Sequence, residues 1–243
     1  MRLSKLVAIP LILCGLWSST AKAQKLKNFL ENKDSSFTWL GVDFTQARLI
    51  GDAGADAADI VARHFAGINQ VVVNEPKKYD VSGAFHHSKV NYAITTVNKR
   101  NEGTNKDLLK SDNPEDFNHL KPEDIQKLVK GFDFSDKKGI GVLFVMEAMS
   151  KAEKAAAMYV TIVDMDTRRV LLTERMTGKA KGFGFRNYWA FSVHDVMDDF
   201  SSDYNKIKQK YADAVDPVEE TAPKKEGKTA VATKGTKAAK KKG

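Results

Sequence analysis

Three apolar stretches stand almost back to back in the second half of the chain: 139–149 (GIGVLFVMEAM), 157–163 (AMYVTIV) and 170–176 (VLLTERM). The first is nearly unbroken and is bounded by Lys137-Lys138 and Ser150-Lys151, the look of a strand buried on both faces. Asp164-Met165-Asp166-Thr167 supplies a turn between the second and third, where aspartate is expected for its local backbone hydrogen bonds. Strands joined this closely pair antiparallel, so the block predicts a three-strand meander.

A long helix follows it. Trp189, Val193, Val196, Met197, Phe200, Tyr204, Ile207 and Tyr211 recur at spacings of 4, 3, 1, 3, 4, 3 and 4, one apolar face over six turns. Such a stripe has to lie on the sheet. Upstream, 37–50 (FTWLGVDFTQARLI) predicts one long strand or two short ones, and Gly51 to Gly54 a turn with Asp52 placed to cap a helix. Ala58, Val61, Phe65 and Ile68 give that helix a buried face over 55–69. The apolar Val71-Val72-Val73 is stopped by Glu75-Pro76. Residues 90–97 (VNYAITTV) predict a strand, 103–120 a long polar loop, and Pro122 opens a short helix with Ile125, Leu128 and Val129 on one face.

The order is strand, helix, possible helix, strand, helix, meander, long helix. It predicts an α+β fold over 24–212: a mixed, mainly antiparallel sheet with a carboxy-terminal three-strand meander and helices packed on its face. Within 139–198, the stretches GIGVLFVMEAMSK, VDMDTRRVLLTERMTG and GFGFRNYWAFSVHDVM resemble an uncharacterised family of exported bacterial proteins. The topology is similar to the amino-terminal domain of TolB and to CsgG-type envelope proteins. The resemblance implies a place in the envelope and brings no activity with it.

The ends of the chain differ from its middle. Arg2 and Lys5 precede an uncharged run over 6–17, and Ala21-Lys22-Ala23 forms an A-x-A site before Gln24. That is the pattern of a secretory signal peptide over 1–23, too short for a comfortable bilayer span. It predicts an exported protein, periplasmic or secreted, with no transmembrane segment after processing. A lipoprotein acylated on Cys14 is the alternative, although Leu13 is a poor residue for that cleavage. Cys14 is the sole cysteine, so cleavage after Ala23 removes disulfide, thiol and thiolate-metal chemistry.

Charge is just as uneven. Of the formal +8, residues 24–216 carry none, with 28 basic and 28 acidic side chains. Lys224, Lys225, Lys228, Lys234, Lys237, Lys240, Lys241 and Lys242 stand after Pro217 against three glutamates. Segment 213–243 holds too few large apolar side chains to build a core and is expected to be a disordered tail. Lysine without arginine or aromatic residues attracts anionic surfaces without reading bases. The expected partner is therefore an envelope protein or an anionic surface polymer, and no specific nucleic acid.

No nucleophile elbow, H-E-x-x-H helix or Walker loop occurs, no cofactor is called for, and the chain reads as non-enzymatic; a hydrolase with a dispersed site is a further alternative. His86-His87 point different ways, and His194 with Asp198 makes a surface pair at helical spacing, short of the three protein ligands of a catalytic zinc. The corner 178–186 is the site the fold offers. Gly182 and Gly184 let a ligand approach the backbone, Lys179, Lys181 and Arg186 add charge, and a helix starts there, so it is a candidate for binding an anion or small ligand. The competing reading is a tight strand-to-helix corner with Phe183, Phe185 and Trp189 packed beneath it. The leading expectation is an envelope interaction or assembly protein tethered by its basic tail.

Overall fold

A computed structural model describes residues 24–217, so the signal segment 1–23 and the eight lysines from Lys224 to Lys242 lie outside the described residues. The chain begins with helix α1 (Lys25–Glu31) and strands β1 (Ser36–Asp43) and β2 (Arg48–Ile50). One helix then runs over 57–74: α2 (Ala57–Asp59), a π-helical turn (Ile60–His64) and α3 (Phe65–Asn74). The Val71-Val72-Val73 triplet is its last turn. Asp56, not Asp52, caps it, accepting the Ala58 and Asp59 N–H groups at 2.9 and 3.2 Å. Next come α4 (Val81–Ala84), β3 (Lys89–Tyr92), α5 (Thr95–Asn101), α6 (Lys106–Leu109), β4 (Lys110–Ser111), a 3-10 turn (Pro114–Asn118) and α7 (Pro122–Lys130). The chain closes with β5 (Ile140–Ser150), β6 (Ala155–Asp164), β7 (Arg169–Lys179) and α8 (Phe185–Lys210).

Pairing overturns the expected α+β class with a mainly antiparallel sheet. β1 pairs in parallel with β3 and β5, and β2 in parallel with β4 and β5; the antiparallel pairings are β5–β6 and β6–β7. Parallel neighbours need crossovers, which the helices over 57–74 and 95–130 supply. The architecture is α/β. The hairpin logic that holds for the meander does not extend to strands joined by helical crossovers. β1 and β5 stand about a hundred residues apart, and nothing local records their relative direction.

Helices cover the sheet on both faces, not one. Trp39, Phe144 and Val160 face α3 and α8 in the larger core with Phe65, Ile68, Trp189 and Phe200. Leu40, Leu143 and Val145 face the other way, onto Val97 of α5 and Ile125, Leu128 and Val129 of α7. Burial on both sides explains why 139–149 is apolar without alternation.

Two sequence-based elements change identity. In 90–97 the strand stops at Tyr92 and the rest enters α5. The polar 103–120 region is folded into α6, β4 and the 3-10 turn. It is pinned by Glu147, a fully buried side chain at a bulge in β5 that accepts the Leu120 N–H at 2.7 Å and the Arg175 Nε–H at 2.6 Å.

Candidate functional site

β2, β5 and β7 all end on the same side of the sheet, and their loops are laced together there. The Lys151 N–H donates to the Ile50 carbonyl at 3.0 Å, and the Ala180 N–H donates to the Lys154 carbonyl at 2.7 Å. Crevices outside the carboxyl ends of strands are where open α/β sheets bind ligands. Two adjoining clefts open here, of about 480 and 340 Å³, with segment 183–185 on the wall of both.

The first cleft is acidic on one wall. Asp52 faces Lys151 at 3.6 Å, Asp56 is spent on its helix cap, and Asp59 bonds Arg63 and lies 3.2 Å from His64 Nε2. The Arg63 guanidinium holds the Asp59 carboxyl below the usual carboxylate range. Lys151 also sits 4.6 Å above the Tyr188 ring. The second cleft is lined by Arg63, His64 and Arg186, and the His64 ring lies 4.9 Å from that of Phe185. Gly67 is what admits Arg186, since a Cβ there would stand 3.1 Å from Arg186 Cδ.

Of the five residues expected at the corner, Gly182, Gly184 and Arg186 line these clefts, and Lys179 and Lys181 line neither. Lys179 ends β7, exposed, with its main-chain N–H donating to Asp195 at 2.7 Å. Lys181 Nζ lies 5.9 Å from the Phe191 ring. Gly182 and Gly184 hold φ of +123° and +73°, and Gly184 starts α8 with no side chain capping it. Arg186 Nε donates to Asn187 Oδ1 at 3.1 Å. Gly178 meets the packing requirement, because a Cβ there would stand 2.1 Å from the Ser192 carbonyl. The packed-corner alternative holds for Trp189, which is fully buried, and fails for Phe183, which is 94% exposed.

The remaining sequence candidates serve the fold. His194 Nδ1 is 3.0 Å from the exposed Asp198. Asp164 accepts the Asp166 N–H at 3.1 Å, and both carboxylates receive Lys25 Nζ, at 2.8 and 3.1 Å. His86 Nε2 lies 3.2 Å from Ser201 Oγ, a spacing that invites comparison with an activated serine. The Ser201 carbonyl is equally close, so that nitrogen carries a hydrogen and is not a base toward the hydroxyl. Among the described residues no cluster of three or more His, Cys, Asp or Glu could hold a metal ion, and no helix is long and apolar enough to cross a membrane.

Sequence reasoning missed the walls of the clefts. Asp52 comes from a loop, Asp59 and His64 from the helix over 57–74, and Lys151 from the turn after β5, and no local spacing joins these three segments. The one usable signal was the pair of aromatic residues in Gly182-Phe-Gly-Phe, which separates one exposed ring from one partly buried ring. In comparisons with known proteins, the chain matches no family model, no curated protein and no solved structure. Fold and site together define a class: an α/β domain with two adjoining, loop-lined clefts at the carboxyl end of its sheet.

Proposed function

We propose that the protein is an exported, non-catalytic binding domain of the cell envelope, an interaction or assembly module. It engages an anionic partner through the corner 178–186, and the lysines after Pro217 add long-range attraction. One observation carries the reading. Lys179, Lys181 and Arg186 form no ion pair among the described residues, whereas Asp52 pairs with Lys151, Asp59 pairs with Arg63 and Asp195 accepts the Lys179 main-chain N–H. The uncapped start of α8 adds N–H donors beside them. Export is supported by the tripartite pattern of residues 1–23.

Retention on immobilised heparin as a function of salt tests this. Each cation that contacts a polyanion adds roughly one unit to the salt slope. Removing residues 217–243 is expected to lower the slope most and leave the melting temperature unchanged. Lys181→Ala with Arg186→Ala is expected to lower it by about two. An unchanged slope in the double variant overturns the corner as the contact. A second reading, a small ligand held against Phe185 and Tyr188 in the larger cleft, predicts a rise in melting temperature with that ligand instead.

A further inference from the structure

We infer that the anionic partner is a phospholipid surface and that Phe183 enters it; the inference rests on the reading of the corner given above. Phe183 is 94% exposed, more than any other large apolar side chain among the described residues. Its neighbours Gly182 and Gly184, at φ +123° and +73°, carry no side chains to cover the ring. Phe185 and Tyr188, each partly buried, stand at its base, with Lys179 and Lys181 before it and Arg186 after it. An apolar tip with three cations within four residues of it in the chain suits the headgroup layer, where aromatic rings settle and cations meet lipid phosphates.

Charge directs the same choice. Residues 24–216 are formally neutral, so attraction to an anionic membrane has to come from local cations such as Lys179, Lys181 and Arg186 and from the lysines after Pro217. One inserted ring is a weak anchor and needs a second signal of this basic kind. A protein partner makes a different demand, an interface of roughly 800 Å² per side. Around Phe183 only one ring protrudes, and polar clefts flank it.

Sedimentation with vesicles of phosphatidylglycerol and phosphatidylcholine in equal parts, against phosphatidylcholine alone, tests the inference on the chain beginning at Gln24, which lacks Trp17. Binding is expected with the anionic vesicles only. Phe183→Ser is expected to lower partitioning about tenfold, with heparin retention and melting temperature unchanged. Phe183→Trp is expected to bind like the parent, with emission quenched by brominated acyl chains; Trp39 and Trp189, both fully buried, leave that signal distinct. Parent-like binding by Phe183→Ser, or no quenching of Phe183→Trp, overturns the lipid inference even where heparin retention still depends on Lys181 and Arg186. A dimer without vesicles that Phe183→Ser abolishes assigns the ring to a second copy and also overturns it. Heparin retention indifferent to Lys181→Ala and Arg186→Ala removes the underlying reading instead.

Discussion

The side-chain amides of Asn69 and Asn101 both donate to the carbonyl oxygen of Val42, at 3.1 and 2.9 Å. Each amide also accepts from β1 or the residue after it: Asn69 Oδ1 takes the Val42 N–H and Asn101 Oδ1 the Phe44 N–H, both at 2.7 Å. β3 pairs with β1 only as far as Trp39, and β4 joins the same side of the sheet only at Leu49. Between them the sheet edge has no strand partner. The helices α3 and α5 each send in one asparagine to do the work of a strand. Gly41, at φ +98°, makes the approach possible, since a Cβ there would lie 2.8 Å from Val97 and 3.0 Å from Asn69 Oδ1.

Truncating either amide leaves buried peptide groups unpaired. Asn69→Ala and Asn101→Ala are each expected to cost about 1–3 kcal/mol in denaturant unfolding. A loss below about 0.5 kcal/mol would mean that water or a shifted strand replaces the amide.

Phe200 lies at the centre of the α8 stripe and is fully buried, whereas Lys206 is exposed and pairs with Asp203. Phe200→Ala is expected to cost roughly 3–5 kcal/mol. Lys206→Ala is expected to cost under about 0.5 kcal/mol. Similar losses in the two denaturant curves would reject this assignment of the buried face.

Glu147 is fully buried and Arg175 is 29% exposed. Arg175→Met is expected to cost about 3 kcal/mol, because it strands a carboxylate inside the sheet. Adding Glu147→Met should recover part of that loss, although the Leu120 N–H then loses its acceptor. A double variant no more stable than Arg175→Met would show that the carboxylate keeps another partner.

His87 sits between the rings of Phe29 and Phe37, at 4.4 and 5.3 Å, and its Nδ1–H donates to the Ser35 carbonyl at 2.8 Å. Burial pushes its pKa below the ordinary value, so the folded state holds the neutral ring. The unfolded chain therefore takes up the proton first. The contribution to stability is whole above about pH 6.5 and is lost as pH falls from there through the folded pKa. Melting temperature should fall on acidification from about pH 7 to about pH 5, and His87→Gln should flatten that slope. An identical pH profile in the variant would assign the loss to other groups.

Processing is read by intact mass. A product beginning at Gln24 is expected, with no cysteine left. A mass carrying lipid on Cys14 would move the protein to the anchored class and change the reading of its tail.

Local regularities were legible where neighbours along the chain are also neighbours in space. The α8 stripe from Trp189 to Ile207 is buried as its 3.6-residue period requires, and the three apolar stretches of 139–176 became β5, β6 and β7. A period records which side chains leave water, and it does so whatever they pack against. It records neither the partner nor the direction of approach. The parallel pairing of Thr38 with Gly141, the asparagines that complete β1, and the meeting of Asp52, Lys151 and Gly182 at one cleft join residues many turns of chain apart. Phe183 makes the same point at a single position. An aromatic residue in a strand-to-helix corner was expected to be packed, yet Phe183 stands 94% exposed between two glycines of positive φ.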